Sequence, residues 1–122
     1  MEALVVFTSE NNHWLGHRLH PQFRHVYCVV PTADKVVTEI NLTSIGIQTK
    51  SFLGTPRELA PDYMDIEETT EVVLIPYDPA DRHLLPYMLN NCVGLTKQLL
   101  GIRYWSLTPY QLFKQMEQHY AY

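Results

Sequence analysis

The chain has 122 residues, 46% of them hydrophobic and 18% charged, with a formal net charge of −4. That length suits a single domain, 1–122, around one core rather than two. A mildly acidic chain whose nine basic residues are scattered has no general electrostatic pull toward nucleic acid or an anionic membrane surface.

Residues 3–8 are almost all apolar and predict a short buried strand, punctuated by Ser9 to Asn12. Glu2 stands where a signal peptide carries bases, and the apolar run is only a strand long, so no signal peptide is expected. No stretch of the sequence is apolar for long enough to cross a bilayer. Residues 13–24 are rich in His and Arg and are interrupted by Gly16 and Pro21, which makes them a loop. Residues 25–31 are β-branched and aromatic and predict a strand, with a turn at 32–35 and a return strand at 36–42. Residues 45–52 alternate as a third strand. The acid-rich stretch 57–71, with Glu58, Asp62, Asp65, Glu67, Glu68 and Glu71, reads as a solvated connection. Residues 72–77 are apolar and suit a strand buried on both faces, ended by Pro76.

Two helices are expected last. The first starts near Asn90 and Asn91, carries Val93, Thr96, Leu99 and Leu100 at helical spacing, and meets a C-terminal cap at Gly101. The second opens with Thr108-Pro109-Tyr110-Gln111, a capping box with Pro in the first turn, and has Leu112, Phe113, Met116 and Tyr120 as its apolar stripe. Strands first and helices last indicate an α+β fold, an antiparallel sheet packed against helices.

Two cysteines cannot make a disulfide framework; two free thiols fit a reducing compartment. Cys28 reads as a small core residue. Cys92 lies in the first turn of its helix, where free N–H groups and the positive end of the dipole favour a thiolate. A thiolate nucleophile still wants a base, and His25, opening a strand, can lie at the sheet end that faces a packed helix N-terminus. The blander reading makes Cys92 a core residue and His25 a structural one. His13, His17, His20 and His25 together suggest Zn²⁺, but Gly16 and Pro21 break the helix that would align them, and no His-Glu-x-x-His pattern is present. A solvated loop beside His25 accounts for them, and neither a metal nor a cofactor is expected. No Gly-rich phosphate loop or dinucleotide fingerprint occurs.

Three stretches resemble the circularly permuted branch of the NlpC/P60 and papain-like cysteine hydrolases, small proteins found particularly among tailed phages. They are Trp14 with Pro21-Gln22-Phe23-Arg24-His25-Val26-Tyr27-Cys28-Val29-Val30, the run Asn91-Cys92-Val93-Gly94-Leu95-Thr96-Lys97-Gln98-Leu99-Leu100-Gly101-Ile102, and Thr108-Pro109-Tyr110-Gln111-Leu112. The stretch from about 45 to 85 matches nothing in that pattern. His before Cys is the permuted order. The resemblance implies a cysteine hydrolase or acyltransferase with Cys92 as nucleophile and His25 as base. Its substrates would be peptidoglycan peptide amides, other isopeptide-like amides or esters. It also implies a polar residue orienting His25. In a tight hairpin His25 lies opposite Asn41 or Leu42, which favours Asn41, with Glu39 and Thr43 as alternatives. The Cys92 N–H, with a side-chain donor from Trp14, His17, Asn90 or Asn91, is the expected oxyanion hole. The rival expectation is a non-catalytic virion component or host-factor-binding protein on the same scaffold, in the host cytoplasm or the virion.

Overall fold

A computed structural model describes residues 1–9, 21–43, 46–78, 92–102 and 108–119. The first strand, β1 (Glu2–Thr8), is apolar on both faces because both are covered. Ala3, Val5 and Phe7 point into one cluster, and Leu4 and Val6 into another on the opposite side. β2 (His25–Ala33) and β3 (Val36–Thr43) follow as a hairpin, then β4 (Gly46–Leu53). After helix α1 (Pro56–Met64) comes β5 (Thr69–Pro76), and the described chain ends with α2 (Cys92–Leu100) and α3 (Pro109–His119). The five strands form one antiparallel sheet in the order β4-β3-β2-β1-β5. The α+β class expected from the sequence is therefore the observed one, with the last two helices after the strands.

Helix α1 was not foreseen, because its acids read as a solvated connection. Its start signal is nonetheless local: Thr55 accepts a hydrogen bond from the Glu58 N–H at 3.2 Å, and Pro56 fills the first turn. Leu59, Ala60 and Tyr63 form its buried side, and the acids face water. The expectation for 72–77 also needs correcting. β5 has apolar residues on both faces, but it is an edge strand, paired on one side with β1, and only Val73 and Ile75 are fully buried.

The sheet separates two cores. α1 packs on one face, where Tyr63 meets Leu4, Val6, Tyr27, Val29 and Val37. α2 and α3 cover the other face through Val93, Leu100, Leu112 and Met116 against Val5, Phe7, Val26, Cys28 and Val30. Each fully buried side chain of this size stabilises the fold by about 1.5–3 kcal/mol relative to exposure. Both late helices carry the expected end signals. The Ile102 N–H reaches the Lys97 carbonyl and the Gly101 N–H the Gln98 carbonyl, with Gly101 at φ 68°, a Schellman ending that favours glycine. Thr108 and Gln111 exchange reciprocal side-chain hydrogen bonds at 3.2 and 3.3 Å, a complete capping box. Phe113 turns its ring onto Phe7 and Phe23, with centroids 5.4 and 4.8 Å away, so this part of α3 is held by the sheet more than by α2.

Candidate functional site

His25 begins β2 and pairs with Thr8 of β1. Its side chain is only 3% exposed. Alternation along β2 puts it on the face of Tyr27 and Val29, the α1 face. The Tyr27 ring lies 6.1 Å from it, centroid to centroid. His25 Nε2 is 2.5 Å from Asn41 Oδ1. An amide oxygen can only accept, so Nε2 carries the proton and Nδ1 is the basic ring nitrogen.

The contact is made in a register different from the expected one. The turn is Asp34-Lys35, and a bulge lies between Pro31 and Ala33. The ladder then pairs Cys28 with Ile40 and Val29 with Glu39. Continued outward, it sets Asn41 opposite Tyr27, and His25 reaches Asn41 along the diagonal. Of the two alternatives, Glu39 accepts from the Tyr63 hydroxyl at 2.9 Å, and Thr43 donates to the Gly46 carbonyl at 2.9 Å. Burial pushes the Tyr63 phenol well above its ordinary value, and the neighbouring Glu39 carboxylate pushes it further.

Cys92 opens α2, as expected, and packs against the cluster that holds Val26 and Cys28. Those residues alternate with His25 along β2, and the thiol itself lies within reach of the Val26 N–H, the residue after His25. Nε2 of the imidazole is bound to Asn41 rather than to the thiol. The thiol's acidity also departs from expectation. Burial pushes its pKa up, and the backbone N–H groups of Val26, Val93 and Cys92 offset this only in part. A buried start to the helix removes water from the thiolate, and the helix end does not make up the loss. Cys28 is fully buried on the same side as Cys92.

On the α1 face a groove of about 330 Å³ runs between the helix and the outer strands, lined by Glu39, Lys50, Phe52, Leu59, Asp62, Tyr63 and Ile66. It lies where α1 stops covering the sheet, and its polar floor, Glu39 and Lys50, is a cross-strand pair. No reading of the sequence pointed to it; the signal available was Phe52 and Ile66, apolar residues in segments with no buried stripe of their own. Trp14, His13, His17, His20, Asn90, Asn91 and Tyr120 lie outside the described residues. Among the described residues no helix is long and apolar enough to cross a membrane.

Comparison with protein-family models, with curated proteins and with solved structures finds no match to this chain.

Proposed function

We propose that the chain works by binding, as a non-catalytic virion component or host-factor-binding protein in the host cytoplasm or the virion. One observation carries this reading: the Cys92 thiol is held protonated by burial while Nε2 of the imidazole is bound to Asn41. A cysteine nucleophile needs its base within hydrogen-bond reach, and a thiol whose pKa is raised by burial holds its proton at neutral pH. On this reading the resemblance to the permuted papain-like proteins concerns the scaffold alone. His25 and Asn41 then act as a buried polar clasp between β2 and β3.

A second reading, a cysteine hydrolase or acyltransferase, is favoured by the His25–Asn41 contact. An Asn oxygen on Nε2 leaves Nδ1 as the basic nitrogen, the arrangement that a permuted papain-like, NlpC/P60-like site requires. Cys92 would lose its proton to His25, attack an amide or ester carbonyl and release the amine or alcohol; water, activated by His25, would then free the acid. This route requires the Cys92 thiol and the His25 ring to meet.

Alkylation decides between the two. Iodoacetamide should label Cys92 more slowly than a free thiol at neutral pH, and His25→Ala should leave the rate unchanged. Labelling faster than a free thiol, slowed by His25→Ala, would establish the hydrolase.

A further inference from the structure

The two edges of the sheet are built differently. At one edge β5 breaks register with β1 at Phe7/Thr8, ends in Pro76 and is backed by α1. These features discourage pairing with another strand. At the other edge β4 pairs with β3 without a bulge through all eight of its residues, from Gly46 to Leu53. It contains no proline, and all of its residues after Gly46 are exposed. Ile47, Phe52 and Leu53 are 57%, 43% and 84% exposed. A regular edge with apolar side chains on both faces is a template for a further strand.

We infer that β4 pairs antiparallel with β4 of a second copy of this chain, about a two-fold axis at Thr49. The choice of partner follows from side-chain complementarity. In an antiparallel pair, residues directly opposite each other share a face, so the axis must pass through a residue and not between two. Near the middle of β4 only Thr49 and Lys50 qualify. An axis at Lys50 sets two ammonium groups opposite each other, which is destabilising. An axis at Thr49 sets threonine opposite threonine, a favourable pair, and Gln48 opposite Lys50 of the second copy. Ile47 then stands opposite Ser51, with Leu53 of the second copy as its diagonal neighbour on the same face.

The ends of the strand fit as well. Gly46 stands opposite Phe52 of the second copy, on the α1 face. The space above Gly46 is open: a Cβ built there meets nothing within 4 Å. The half-exposed Phe52 ring has the size and position to cover that opening, as aromatic residues do over strand glycines. The two grooves beside α1, each floored by Lys50 and Phe52, are brought toward each other across the joined sheet. An interface made by one strand and its side chains is at the small end of the range, so the dimer is weak and depends on concentration. It does not depend on whether Cys92 is reactive.

The test uses the full chain in reducing buffer. Sedimentation velocity from micromolar to near-millimolar concentration should show a reversible rise from the monomer toward twice its mass. Thr49→Lys, which puts like charges on the axis, should weaken association at least tenfold. Under mild oxidation Thr49→Cys should form a crosslinked dimer well beyond the parent's own background, because paired strand residues lie within disulfide reach. Ile47→Cys should not, being four positions from its own copy. A strictly monomeric parent would overturn the inference, as would equal crosslinking at 47 and 49. Preferential crosslinking of Lys50→Cys over Thr49→Cys would overturn the register. Circular dichroism on each variant excludes unfolding as the cause.

Discussion

The His25–Asn41 contact gives a direct measure of what the buried polar clasp contributes. Asn41→Ala removes the acceptor of the Nε2 proton while leaving an imidazole that is 3% exposed. Water has little access to replace the lost oxygen. A typical hydrogen bond contributes about 0.5–1.5 kcal/mol net, but a buried donor left unpaired costs about 1–3 kcal/mol. The higher range applies to Asn41→Ala, so about 2 kcal/mol is expected. For a domain with a urea m-value of about 2 kcal/mol/M, the unfolding midpoint should fall by about 1 M with no change in slope. His25→Phe adds the control. Once the imidazole is gone, Asn41→Ala should cost far less, giving a coupling energy of about 1–2 kcal/mol in the double-mutant cycle. A coupling within about 0.3 kcal/mol of zero would refute the clasp, because the two losses would then be independent.

Two further perturbations probe the two cores. Tyr63 has its phenol pKa raised in the folded state, so its contribution is complete below the unfolded value of about 10 and is lost as pH rises above it. Urea titrations of the parent should therefore lose stability above about pH 10 faster than those of Tyr63→Phe; parallel profiles would contradict the buried Glu39 contact. Phe113→Ala removes a partly buried ring that touches Phe7 and Phe23 and should cost about 3 kcal/mol, lowering the thermal midpoint by about 10 °C. An unchanged midpoint would make α3 a loosely attached tail.

Much of the fold is legible because its signals are local. All five strands are apolar or alternating runs bounded by turns or connections, and both late helices announce their ends through Gly101 and the Thr108–Gln111 box. Thr55-Pro56 is the same kind of signal as Thr108-Pro109. Its meaning was masked by the acids that follow, which suit the solvated side of a helix as well as a loop. Asn41 was legible as the polar partner of His25, although by the wrong route: the bulge at Pro31/Ala33 has no residue signature, and the contact turned out to be diagonal. The face of a strand is fixed by alternation, and that rule, applied to His25 and Cys28 alike, placed Cys28 in the core. That α2 packs against the Val26 and Cys28 side of the sheet is a long-range contact, and nothing local in the sequence encodes it.

The uneven covering of the sheet also sets a gradient in how the backbone opens. β1 has a strand on each side and a helical layer on each face, so its amides should exchange with deuterium only through global unfolding. Among the described strands β4 has one neighbour, its side chains are in water, and it can detach at the cost of its ladder with β3. In the monomer, deuterium should therefore enter from the β4 edge, proceed through β3, and reach β1 and β2 last, with Val37 marking where the covered part of the sheet begins.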